Sequence, residues 1–538
     1  MADSKNTAIP EPVEQFIKNF YKAYLENNVY ELHSCYENGF NKLTESYYKN
    51  TPWPDPVEQV APLVNDDQIF LVLYSEVYYR HVYARLNPTL EHRTGSYNNY
   101  CNLFNLLLNS EDGPVTFDLP HKWLWEIVDE FIYQFNQFSV YRTKLILNKK
   151  NADPVELSYV QEHHEVWSAY SVLNALYSLI GRSQIVEQLK DSKSVLYTNR
   201  VNTEIAGEYG SLPLYRNLGY FSVIGLLRIH TLLGDFTLAL KTMEHIDLDK
   251  RAFFTKIPGC HFTTYYYVGF CYLMLHRYSD AIKAFSHILL YISRTKNISR
   301  SGQYDIVTKK SEQMYALLAI LVGLAPTRLD DTLSSGIKEK FGDKFLKIQR
   351  GGEESLSVYE DLFKFGSPKF ISTSIPIPDH VNDPLYLHLK IFMLKVKNIV
   401  FIPTLKSYLS LYSKLDINKL AHFLEMDENE LMSTLLTYKL NNRQLKWIDG
   451  ELLNGEFVNV YDLDISLEND DGKTFIHVKE TKNIRKFADW FIRNTIKNYS
   501  AQEVISNASK ESFKESQQNN KNTKNHHHHH QDHKTSSK

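Results

Sequence analysis

Apolar residues recur at helical spacing through most of this chain. Ile69 to Leu86 (IFLVLYSEVYYRHVYARL) carries one apolar face, and so does Trp123 to Leu147. Leu157 to Ile180 (LSYVQEHHEVWSAYSVLNALYSLI) reads as a third long helix, ended by Gly181. These runs are too long for ordinary strands. Gln313 to Ala325 (QMYALLAILVGLA) predicts a further buried helix. TPWPDPVEQVAP, Thr51 to Pro62, is a proline-rich connector, and Gly351-Gly352 and Gly366 to Pro384 read as loops. No long β-alternating series occurs before residue 440, so a doubly wound sheet is not expected.

Two segments align with one another. Leu226, Leu227 and His230 precede Gly234-Asp235-Phe236, then Ala239, Met243 and Ile246. Val268, Gly269 and Tyr272 precede His276-Arg277-Tyr278, then Ala281, Phe285 and Ile288. Ala239 and Ala281 are 42 residues apart, more than the roughly 34 of a regular tetratricopeptide array. In the second segment Gly269, Tyr272, Ala281 and Phe285 fall at offsets 0, 3, 12 and 16. Gly269 and Ala281 let two antiparallel helices approach, and Tyr272 and Phe285 fill the groove beside them. One such hairpin cannot bury its apolar face alone, so hairpins stack into a solenoid. The three consecutive tyrosines Tyr265, Tyr266 and Tyr267 fan around the first helix at about 100° per residue. At least one of them is therefore expected to face a neighbouring hairpin or solvent.

The order changes after residue 400. Phe401 to Tyr412, Asp416 to Glu425 and Asp427 to Arg443 read as short helices, the last opened by an Asp427/Glu430 capping pair. Strands follow around Leu445–Ile448 and at Thr474–Val478, the second preceded by the polar loop LENDDGK. Helix, turn, helix and hairpin is the layout of a winged helix. Its second helix offers Lys439 and Arg443, but also Glu428 and Glu430. No outward arginine or asparagine cluster favours DNA readout, so protein–protein docking is the expected use. A final helix is predicted over Ile484 to Tyr499. Lys479, Lys482, Arg485, Lys486, Arg493 and Lys497 lie in this region against Glu480 and Asp489. Two readings stand for them: contact with RNA phosphate or a partner, and a solvated helix face. The Asn/His-rich tail over 500–538 has almost nothing to bury and is expected to be disordered.

Composition narrows the class. The 538 residues bound about three to four domains or one long repeat structure. The net charge of −3 excludes a global basic field. The longest apolar run, Tyr265 to Leu275, is eleven residues, and a membrane helix needs about 20, so no membrane association is expected. The N-terminus has no apolar leader core. Cys35, Cys101, Cys260 and Cys271 form no CxxC and read as buried, reduced thiols of a cytoplasmic protein.

Motifs of chemistry are missing. No phosphate-binding glycine loop, dinucleotide fingerprint or G-x-S-x-G is present. His163-His164-Glu165 suggests a metal motif, but HExxH would need histidine where Ser168 stands, leaving a surface or packed histidine pair. Glu353-Glu354 reads most simply as a polar loop, and no carboxylate spacing marks a catalytic pair. The metal-binding signature of deubiquitinating subunits is absent too. No catalytic residue, cofactor or metal site is expected, and the chain reads as a non-enzyme.

A helical repeat followed by a winged helix resembles the PCI-domain subunits of the proteasome lid, the COP9 signalosome and translation initiation factor 3. TTYYYVGFCYLMLHRYSDAIKAFSHILLYISRTK (Thr263 to Lys296) and WLWEIVDEFIYQFNQFSVYR (Trp123 to Arg142) resemble the L-subunit family of initiation factor 3. LGYFSVIGLLRIHTLLGDFTLAL, FGDKFLKIQRG, LFKFGSPKFI and DWFIRNTIKN are similar to it as well. The resemblance runs from about residue 10 to 500, and the tail departs from it. It implies a mostly α fold in this order: an N-terminal helical region (1–200), TPR-like repeats (201–305), and a PCI domain (306–499). Within the PCI domain the winged helix spans about 400–482 and the C-terminal helix 484–499. It implies a non-catalytic scaffold subunit that supports 43S pre-initiation complex assembly on the 40S subunit and mRNA recruitment. Subunits K and E are the expected neighbours, with C-terminal helices bundled together. A PCI scaffold of a proteasome-lid or COP9-signalosome-type complex is the alternative.

Overall fold

The structure is a computed structural model that describes residues 8–192, 195–196, 201–248, 251–295, 304–373, 383–480 and 487–531. It is mostly helical, with five strands among the described residues. Two compact units emerge. The first comprises Met1–Leu411 with Ile417–Val460, the second Tyr412–Asp416 with Tyr461–Lys538.

The first unit begins with an aromatic core. Phe20 and Tyr36 stack on Trp123 at 5.5 and 5.0 Å, joining helix Glu11–Leu25 to helix His121–Leu147. Glu76, on helix Gln68–Arg85, is buried there. It accepts hydrogen bonds from Trp123 Nε1 (3.1 Å) and Tyr100 Oη (3.3 Å) and pairs with Arg80, so the buried charge is compensated. The proline-rich connector forms two short helical turns, Pro56–Val60 and Ala61–Val64.

The expected Leu157–Ile180 helix is two helices, Pro154–Glu162 and Ala169–Ser183. The break centres on Trp167, which adopts φ 53°. Its indole is fully buried against Tyr97 and Phe131 and donates to the Arg93 carbonyl at 3.3 Å. Burial of the largest apolar side chain offsets a left-handed backbone. Gly181 lies inside the second helix, and Gln184 (φ 51°) ends it.

Two helical hairpins follow. The first pairs Pro213–Leu233 with Phe236–Thr242, the second Pro258–Met274 with Tyr278–Thr295. Their turns match residue for residue. Gly234 (φ 88°) and His276 (φ 61°) both take the left-handed conformation. The next N–H reaches back in each: Asp235 to the His230 carbonyl and Arg277 to the Tyr272 carbonyl, both at 2.9 Å. This is the helix-closing geometry in which a left-handed residue satisfies the last free carbonyls. Helices Tyr304–Leu324, Asp331–Arg350, Glu353–Gly366 and Pro384–Ile399 continue the array, and Phe363 stacks on Phe392 at 4.3 Å between the last two. Ile402–Leu409, Ile417–Leu424 and Glu428–Asn442 are the three short helices expected after residue 400. Asp427 caps the third by accepting from the Asn429 N–H at 3.2 Å.

The strand pairing differs from expectation. β2 (Arg443–Lys446) pairs antiparallel with β3 (Glu456–Asn459), an unforeseen strand, and makes a two-stranded ribbon in the first unit. In the second unit β4 (Leu463–Asp470) and β5 (Lys473–Glu480) form a hairpin, with β1 (Lys414–Asp416) on the far side of β5. The stretch read as a polar loop is mostly strand. Its turn is the two-residue Asp471-Gly472, at φ 50° and 80°, the left-handed pair that matches strand twist.

The last helix, Phe487–Gln531, also extends far beyond the expected end at Tyr499. No proline or glycine occurs from Ser500 to Gln531 to stop it. Its described side chains from Ser500 to Asn522 are all exposed.

Candidate docking surfaces

The seam of the second hairpin is as close as its sequence demands. Ala281 and Phe285 are fully buried and Tyr272 nearly so. A Cβ added at Gly269 would stand 2.7 Å from the Phe285 ring, closer than carbon atoms approach without displacement. Gly269→Leu is therefore expected to overpack the seam, at a cost of about 1–3 kcal/mol. A lowered thermal midpoint of the full chain measures it, and an unchanged midpoint contradicts the role of this glycine.

All three consecutive tyrosines are buried, and none faces solvent. Tyr265 stacks on His287 at 4.8 Å. Tyr266 donates to the Gly366 carbonyl at 2.6 Å, and Arg228 lies over the Tyr267 ring. Each ring meets a different neighbour, which is how a stacked helix uses every side of itself.

Sequence reasoning missed the most concentrated polar contact of this hairpin. Arg277 and Asp280 are each 4% exposed and joined by a 2.8 Å ion pair. Arg277 also donates to the carbonyls of Leu452 (3.1 Å), Leu453 (2.9 Å) and Asn454 (2.8 Å). Tyr272 donates to the same Leu452 carbonyl at 2.7 Å. Burial pushes the pKa of its hydroxyl above the ordinary tyrosine range, so it stays a protonated donor. Asp280 accepts from the Trp447 N–H at 3.0 Å, and Lys283 sits over the Trp447 ring. The loop joining β2 to β3 is thus latched to the hairpin turn. The signal was a charged pair at i, i+3 at a helix start, which ordinarily marks a solvated surface.

The basic residues divide. Lys479 is exposed on β5, and Arg493 and Lys497 are exposed one turn apart on the last helix. Lys482, Arg485 and Lys486 lie outside the described residues. The last helix also carries apolar exposure: Trp490 (56%), Phe491 (66%), Ile492 (56%), Ile496 (58%) and Tyr499 (68%).

Among the described residues no three His, Cys, Asp or Glu side chains lie close enough to hold a metal ion. His163 stacks on Tyr159 at 4.1 Å, and His164 is exposed. Burial pushes Glu130 up to about 7, against the pull of Arg80. A pocket of about 310 Å³, lined by residues such as Thr327, Arg328, Ser334 and Lys338, does not include it. The cysteines are free. Cys35, Cys260 and Cys271 are buried, burial pushes the Cys271 thiol up to about 12, and Cys101 is only partly covered. No described helix is long and apolar enough to cross a membrane.

The family model described as "RNA polymerase I-associated factor PAF67" matches residues 92–498. A Yarrowia lipolytica protein is 53% identical over 505 residues, covering 94% of this chain and 91% of its own length. A Nematostella vectensis protein is 45% identical over 497 residues, 91% of each chain. A human protein is 42% identical over 516 residues, 90% of this chain and 88% of its own. All three carry the name eukaryotic translation initiation factor 3 subunit L. With such identity along nearly the whole length of both partners, the chain belongs to the eukaryotic translation initiation factor 3 subunit L family.

Proposed function

We propose that this chain is a non-catalytic scaffold subunit of translation initiation factor 3, supporting 43S pre-initiation complex assembly on the 40S subunit and mRNA recruitment. The carrying observation is the near full-length similarity to subunit L proteins. The structure adds support of another kind. Large apolar side chains, Trp490, Phe491, Ile492 and Ile496 among them, stand exposed on its last helix.

In this reading residues 1–200 form a helical region, 201–305 TPR-like repeats and 306–499 a PCI domain. The chain order of β1, helices Ile417–Leu424 and Glu428–Asn442, then the β4–β5 hairpin favours a winged helix over about 400–482. Subunits K and E are its neighbours, the last helix joins a bundle with theirs, and the chain works in the cytoplasm. Lys479, Arg493 and Lys497 offer positive charge to RNA or to a partner.

Affinity purification of the tagged full chain from cytosol tests the proposal. Initiation factor 3 subunits and 40S ribosomes are expected in the eluate. Recovery of only proteasome-lid or COP9-signalosome subunits overturns it.

A further inference from the structure

Helix Pro384–Ile399 is anchored by one face and presents another. Leu389, Phe392, Val396 and Ile399 are buried, and His388 packs on Phe370 at 4.1 Å. Opposite them, Leu387 (45%), Ile391 (56%) and Leu394 (55%) are exposed at i, i+4 and i+7. That spacing is one continuous stripe, the form in which one helix reads another.

The charges beside the stripe have one sign. The helix (PLYLHLKIFMLKVKNI) contains three lysines and no carboxylate. Lys395 is held by the Asn441 side chain at 2.6 Å, and burial lowers its basicity. Lys390 and Lys397 are exposed, and among the described residues no carboxylate pairs with either. An aliphatic stripe with two lysines along one edge is complementary to an apolar stripe edged by Asp or Glu. RNA would engage the lysines and leave Leu387, Ile391 and Leu394 in water.

We propose that this face docks an acidic amphipathic helix from another subunit of the assembly. The inference rests on the reading of the chain as a subunit and deepens it by naming a surface and the partner's chemistry. The stripe supplies the buried centre of the contact, and Lys390 and Lys397 its charged rim.

The test places a photo-crosslinking amino acid at position 391 of the full chain within the purified native assembly. Adducts are expected on one helix of another subunit, with Asp or Glu beside apolar residues at i and i+4. K390E/K397E should lower that adduct at least fivefold, and reversing the mapped carboxylates to lysine should restore it. Adducts with residues 374–382 of this chain, with a second copy, with RNA or with lipid overturn the proposal, as does the absence of any adduct. The purified assembly separates the two readings. If the unmodified chain fails to assemble, the subunit reading falls; if it assembles without the adduct, only the docking face falls.

Discussion

Arg277→Ala is expected to destabilise the first unit by about 3–5 kcal/mol, the range for removing one partner of a buried ion pair. Three losses coincide. Asp280, 4% exposed, keeps a buried charge without its counter-ion. The carbonyls of Leu453 and Asn454 lose the donor that reaches them at 2.9 and 2.8 Å. The β2–β3 loop is then left to the Tyr272 hydroxyl on the Leu452 carbonyl, the Asp280 carboxylate on the Trp447 N–H, Lys283 over the Trp447 ring and the Lys241–Glu451 pair. The thermal midpoint of the full chain should fall by several degrees, and amide exchange over residues 447–454 should accelerate. Arg277→Lys should not rescue, because an ammonium cannot span three carbonyls and a carboxylate in one plane. Arg277→Met with Asp280→Leu should lose less than the sum of the single variants, since neither charge is left alone. A wild-type midpoint in Arg277→Ala would show that the latch is not structural.

This latch marks where the sequence stops being informative. The close approach at Gly269 was legible because a glycine sixteen residues before Phe285 leaves room for that ring, where a Cβ would stand 2.7 Å from it, and a spacing records that demand. The turn at Gly234 and His276 was legible by alignment of the two hairpins. Arg277 was not, because its acceptors are backbone carbonyls 175 to 177 positions away, and every residue has a carbonyl. The break at Trp167 was equally hidden, since it depends on the rings of Tyr97 and Phe131. Asp471-Gly472 is a different case. The dipeptide is a turn signal in plain view, but the polar flank LEND before it disguised the end of β4 as a loop, while its partner strand was foreseen at Thr474–Val478. The end of the last helix was misplaced because low apolar content argues against burial, and a helix can persist without it where no proline or glycine intervenes.

That last helix carries the second large effect. Ile492→Glu/Ile496→Glu is expected to lower incorporation of the chain into initiation factor 3 at least tenfold, while leaving the thermal midpoint of the chain within about a degree. The two isoleucines stand one turn apart and are 56% and 58% exposed, so neither supports the chain's own fold. Where such a side chain is a buried anchor of the interface, its loss costs a complex about 2 kcal/mol or more, and each 1.4 kcal/mol is about tenfold in affinity. Glutamate adds the cost of burying a charge in an apolar seam. The readout is the ratio of this chain to other subunits after affinity purification through one of them. Arg493→Glu/Lys497→Glu on the same helix separates the two candidate roles of the region. If the helix acts through its apolar side chains, this variant assembles normally; if it acts through RNA, it assembles but loses 40S recovery as salt is raised. Full incorporation of Ile492→Glu/Ile496→Glu would remove the helix from the subunit bundle and leave the helical array before it as the docking element.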